Sequence, residues 1–234
     1  FYIQLSRYTP LEELVGVPDV ASLMRGVYRR IPGGILDADI AMLDEVFDAS
    51  PSVLRAVNDI ILYRRVYDPV ERRFVPVPLR ALYAASNYVP TSRELEAFVD
   101  RMTVRVFVDR LPRDPQTLSE LVRRGALLDL GMHGGSAEPV ADLSLVDAAW
   151  SVVRRVAAEI ASDGVLTRAI VDCVMVLEGG GIRISDRRIS KIPRVAAALA
   201  LVRGMPFPSV DDVADAVLFV APATREEMER AEEL

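Results

Sequence analysis

Between Ile40 and Phe47 the chain reads Ile-Ala-Met-Leu-Asp-Glu-Val-Phe, and no other stretch limits the possible folds as strongly. Four apolar residues, with no polar alternation, run into two adjacent carboxylates, and Asp48-Ala49-Ser50-Pro51 then turns the chain. Such a run predicts a strand buried on both faces, as in a parallel sheet sandwiched by helices. Asp44 and Glu45 then fall at the strand's carboxyl end, where open α/β sheets hold their ligands.

The rest of the first half fits that reading. Ser50 is placed as N-cap and Pro51 as first residue of a helix to about Arg64. Val66 to Val75 reads as a hairpin turning at Asp68-Pro69, and Leu79 to Ser86 as a second buried strand ending at Asn87. Thr91 and Glu94 form a capping-box pattern for a helix to about Val99, and Thr103 to Val108 reads as a third strand. Asp114-Pro115 opens a short helix to about Arg124. Beyond it only helices are predicted, at about Leu145–Ala161, Leu166–Glu178, Asp186–Val202 and Val210–Val220, with a charged helix from Arg225. Ser144, Ser185, Ser209 and Thr224 stand where N-caps belong. An α/β domain over residues 1–111 and an all-helical domain over 112–234 are expected.

With 234 residues, either part can bury a core. No apolar run nears the roughly 20 residues of a membrane span. Cys173 is the single cysteine, which fits a reducing compartment, and a cytoplasmic location is expected. A net charge of −6 argues against broad nucleic-acid binding. The chain begins with Phe1, not methionine, and is read as a piece of something longer.

The acids suit nucleotide hydrolysis in the Walker B manner: Asp44 would hold Mg²⁺ through its water shell and Glu45 would polarise the attacking water. Asn87, closing the next strand, could orient that water beside a γ-phosphate. Arg101 lies between a helix and the third strand. Arg187 and Arg188 open a helix, where their charge opposes the macrodipole and favours an anionic partner.

Taken in order, these pieces resemble the MoxR family of AAA+ ATPases, most closely its RavA-like branch, over essentially the whole chain. The likeness is densest from Gly33-Gly34-Ile35-Leu36 through Asp44-Glu45-Val46-Phe47. It continues in Val66-Tyr67-Asp68, Val77-Pro78-Leu79, Ala84-Ala85-Ser86-Asn87, Asp100-Arg101-Met102 and Ile184-Ser185-Asp186-Arg187-Arg188. The resemblance implies a P-loop NTPase core with a helix-2 insert (Gly16–Leu36) and a pre-sensor-1 hairpin (Val66–Val77), followed by a helical lid. It implies ATP and Mg²⁺ as ligands, Asp44 and Glu45 as the Walker B pair, and Asn87 as sensor 1. Arg101 would be an arginine finger acting on a neighbouring subunit's ATP. Arg187 would be sensor 2, with Arg188 next in line. It further implies a homo-oligomeric ring, a hexamer, that remodels protein partners in a chaperone-like way, commonly with von Willebrand factor A domain proteins.

The sequence departs from that pattern in three places. No Gly-Lys-Ser/Thr phosphate loop is present, and the order of motifs puts it before Phe1, so this piece alone is expected to be inactive. Tyr63-Arg64-Arg65 stands where relatives often have Asn-Glu-Arg, and Pro193 interrupts the sensor-2 helix. Two alternatives are a DNA-associated motor, suggested by Arg64, Arg65, Arg72, Arg73 and Arg80 around the hairpin, and a non-catalytic ring subunit. His133 is read as a loop residue without a metal, Gly179-Gly180-Gly181 as a helix C-cap, Cys173 as an inert core thiol and Trp150 as core.

Overall fold

The computed structural model describes residues 1–31, 33–68, 73–90, 93–130 and 142–234, which form two compact units, Phe1–Met102 and Thr103–Leu234. The expected turn at Asp68-Pro69, the Thr91–Glu94 capping box and His133 fall wholly or partly outside the described residues.

The first unit is built on three parallel strands: β1 (Tyr2–Gln4), β2 (Ile40–Asp44) and β5 (Ala81–Ala84), in the order β1-β2-β5. Tyr2 lies opposite Met42 and Gln4 opposite Asp44 on one side of β2, while Met42 pairs with Tyr83 and Leu43 with Ala84 on the other. A parallel sheet needs crossovers. One contains the short helix α2 (Val20–Leu23), and the other contains α3 (Pro51–Tyr63) and the antiparallel pair β3 (Arg65–Asp68) and β4 (Arg73–Pro76). The start of α3 is as the sequence indicates: Ser50 Oγ accepts from the Val53 amide and Pro51 occupies the first turn.

Burial corrects one expectation. In β2 only Ala41 and Leu43 are fully buried, Ile40 is exposed and Met42 is partly covered, so the strand is buried on one face rather than two. Tyr83 and Ala84 of β5 are exposed as well, although a buried strand is expected there. The core lies on the Ala41–Leu43 side, where Val53, Val57 and Ile60 of α3 and Leu14 of α1 (Leu11–Val15) join it. A continuous apolar run thus masks a two-residue burial period, because Ile40 and Met42 are apolar without being packed.

The second unit is helical: α5 (Pro115–Asp129), α6 (Leu143–Ile160), α7 (Gly164–Gly179), α8 (Asp186–Ile189), α9 (Ile192–Val202), α10 (Val210–Val220) and α11 (Arg225–Glu233). Its core gathers Ile160, Ile182, Ile192, Ala196, Val213, Ala216 and Val220, all essentially inaccessible to water. Ser209 and Asp212 form a reciprocal capping box, and Arg203 ion-pairs with both Asp212 and Asp215.

Several local readings change here. Thr103–Val108 is not a strand. Its Arg105 amide donates to Phe219 O at 3.1 Å, and the Arg105 guanidinium donates to Val220 O and Pro222 O, so orphan carbonyls at the end of α10 take the place of a sheet partner. The expected single helix Asp186–Val202 breaks at Ser190-Lys191, because Pro193 has no amide to offer and begins a new helix instead. α5 runs to Asp129 rather than Arg124, and α6 is capped by Asp142 rather than Ser144. Trp150 is not core: it is 44% exposed, with the Arg194 guanidinium 5.2 Å from its ring centre.

Candidate nucleotide-hydrolysis site

The carboxyl end of β2 carries the first group of candidate residues. The backbone leaves the strand at Asp44 and turns sharply at Glu45, which adopts a left-handed conformation (φ 49°, ψ 44°) before a 3₁₀ turn over Val46–Asp48. A non-glycine residue there costs on the order of 1–3 kcal/mol, and such residues persist where surrounding contacts determine them. Those contacts are visible. The Val46 amide donates to Ala85 O at 3.0 Å and the Ala85 amide to Leu43 O at 2.9 Å, which stitches the turn to the end of β5.

Asp44 is half-buried and both its carboxylate oxygens are engaged. Oδ1 accepts from the Glu45 amide at 3.0 Å, and Oδ2 accepts from the Tyr2 hydroxyl at 3.1 Å. The bond to Asp44 raises the Tyr2 phenol above its ordinary pKa. Each oxygen keeps a further lone pair, so Asp44 can still accept hydrogen bonds from water. Among the described residues no three His, Cys, Asp or Glu side chains cluster as a metal cage. A single carboxylate fits Mg²⁺, which keeps several waters and is held with help from phosphates. Asp44 would hold that ion, whose chemistry is to neutralise phosphate charge.

Glu45 faces Asn87. The Asn87 side-chain amide, just past β5, donates to Glu45 Oε1 at 2.5 Å, although the two residues are 42 positions apart. One residue further, the Tyr88 hydroxyl lies 2.9 Å from Asp48 Oδ1 and 3.2 Å from Phe47 O. Sequence reasoning singled out Asp44, Glu45 and Asn87, and the fold brings them to one end of the sheet; it passed over Tyr2 and Tyr88, which carry no motif.

Arg101 follows α4 (Arg93–Val99) in the same unit, and is partly buried. Its Nη1 donates to Ala97 O at 2.6 Å, while the buried Nε has no hydrogen-bond partner among the described residues. Arg187 and Arg188 belong to the second unit and differ sharply. Arg188 is half-buried and turned inward, its guanidinium bonded to Ala221 O at the end of α10 and, at 3.5 Å, to Arg183 O. Arg187 is exposed. α8 is a single turn, so the macrodipole argument for these arginines lapses. Lys191 nearby has a lowered pKa, first through burial and then through the charges of Arg194 and Arg187.

A parallel sheet with paired acids at the end of a strand, followed by a helical unit, is an α/β architecture of the kind that P-loop ATPases use. The fold agrees with the crystal structure of a candidate ATPase from Cytophaga hutchinsonii, at a TM-score of 0.72 over 99% of this chain and 76% of that one, with 17% identity. Residues 1–142 match the profile of the MoxR domain found in the MoxR-vWA-beta-propeller ternary systems. The chain belongs to the MoxR family of AAA+ ATPases. It is 31% and 30% identical to two uncharacterized proteins of Methanocaldococcus jannaschii, over 86% and 89% of its length. It is also 26% identical, over 95% of its length, to a structural protein of Acidianus two-tailed virus. The chain spans 50%, 52% and 39% of those three relatives.

Proposed function

We propose that the full-length protein hydrolyses ATP at the end of β2 and uses the cycle to remodel a protein partner. The observation that carries the chemistry is Asn87 held against Glu45 at the turn that follows Asp44. A carboxylate and a side-chain amide side by side can together orient one water. Glu45 accepts a proton from that water as its oxygen bonds to the γ-phosphorus; the bond to the β–γ bridging oxygen breaks, and ADP leaves with that oxygen. The proton passes on to the released phosphate.

Arg101 is proposed as the finger that reaches a neighbour's ATP in a homo-oligomeric ring, a hexamer in the family pattern. Its place directly after α4, the helix that follows Asn87, supports this. Arg187, the exposed member of the pair, is proposed as sensor 2, while Arg188 is half-buried with its guanidinium on lid carbonyls. A von Willebrand factor A domain protein is the proposed partner, on the strength of the ternary systems in which the matching MoxR domain occurs. Full-length protein carrying Glu45→Gln should bind ATP with Mg²⁺ yet release phosphate near background. Wild-type phosphate release by that variant would overturn the proposal.

A further inference from the structure

Asn87 lies in a loop, and a loop does not by itself hold an amide against a carboxylate. The neighbouring residue supplies the anchor. Tyr88 crosses from that loop to the 3₁₀ turn after Glu45, its hydroxyl donating to Asp48 Oδ1 at 2.9 Å with Phe47 O at 3.2 Å. Its ring packs on Phe47, with centroids 6.2 Å apart, and Phe47 in turn meets Phe98 edge-on at 6.0 Å. Phe98 is 1% exposed, so the aromatic row is rooted in the core. Burial does not account for Tyr88 itself, which is 49% exposed; its partners do. Asn87 and Tyr88 therefore bind Glu45 and Asp48, the two ends of one tight turn, through adjacent side chains.

We infer that Tyr88 is a positioning residue: its hydroxyl, bonded to Asp48, fixes the loop that holds Asn87 at Glu45. It acts through Asn87 rather than on the reacting atoms. The inference rests on the proposed roles of Asn87 and Glu45.

The test uses the full-length protein. Tyr88→Phe keeps the ring packing and removes only the hydroxyl. Turnover is expected to fall about tenfold, since a displacement near 1 Å can cost up to about a hundredfold. Binding of a fluorescent ATP analogue should stay within about twofold, and the melting temperature unchanged. Asp48→Ala should reproduce the loss, and Asp48→Asn, which keeps the Oδ1 acceptor, should restore most of it. In an Asn87→Ala background, Tyr88→Phe should have no further effect. Undiminished turnover in Tyr88→Phe, with Asn87→Ala slow, would overturn the inference and leave the proposed function standing. A further loss from Tyr88→Phe on top of Asn87→Ala would overturn it too. Wild-type turnover in Asn87→Ala would remove the reading beneath it.

Discussion

Asn87 donates a hydrogen bond to Glu45 across 42 positions of sequence, and Glu45 meets it from a left-handed backbone conformation. Contact and strain belong together. An extended or helical Glu45 would point its carboxylate elsewhere, and the turn holds the residue where stability alone would favour glycine. Glu45→Gly is expected to be more stable than Glu45→Ala by about 1 kcal/mol, while both lose turnover. Thermal melts of the two variants check this; equal stability would mean that the left-handed conformation carries no strain.

Arg101 gives a second prediction. A guanidinium acting on a neighbour's transition state is worth about 10³-fold or more in turnover. Arg101→Ala should leave ATP affinity intact and lose that rate. Mixed rings of Arg101→Ala and Glu45→Gln subunits should regain activity, because some interfaces then pair an intact Arg101 with an intact Glu45. Rings shown to be mixed but without recovery would count against action between subunits.

The adjacent arginines of α8 should separate cleanly. Arg188→Ala removes charge-assisted bonds to Ala221 O and Arg183 O and should destabilise the helical unit by about 1.5–3 kcal/mol. Arg187→Ala should weaken ATP binding or turnover and cost the helical unit less stability than Arg188→Ala. Scanning calorimetry with nucleotide titration distinguishes them, and a larger destabilisation in Arg187→Ala than in Arg188→Ala would reverse the assignment.

Asp212 sets an acid limit on the helical unit. Hydrogen bonds from the Ser209 amide and hydroxyl, and then from Arg203, hold its carboxylate pKa below the ordinary value, although burial opposes this. A lowered folded pKa means stability fully present above the unfolded value, about 3.9, and lost as pH falls through the lower folded value. Melting followed from pH 6 to pH 2 should fall more steeply below about pH 4 in wild type than in Asp212→Asn. Parallel curves would remove Asp212 as a source.

Much of this was legible in the sequence, and the parts that were not share a cause. Ser50-Pro51, Ser185, Ser209 and Thr224 cap helices as expected, because capping is local chemistry that the spacing displays. The placement of Asp44, Glu45 and Asn87 at strand ends was legible because acids or an amide ending apolar runs mark such ends. Thr103–Val108 misled: its β-branched residues satisfy strand propensity, but whether an extended segment joins a sheet depends on partners far away in sequence, here Phe219–Pro222. Trp150 misled likewise, since helical spacing defines a face without saying what covers it. The contacts of Tyr2 and Tyr88 carried no sequence signal, as they depend on a hydroxyl's reach across the fold.

The central claim is that Glu45 and Asn87 act on one water. Single-turnover phosphate release by full-length wild type, Glu45→Gln, Asn87→Ala and the double variant tests it most directly. Groups that act as a unit are non-additive, so the double variant should be no slower than the slower single one. Multiplied losses in the double variant, or an undiminished rate in either single one, would contradict the claim.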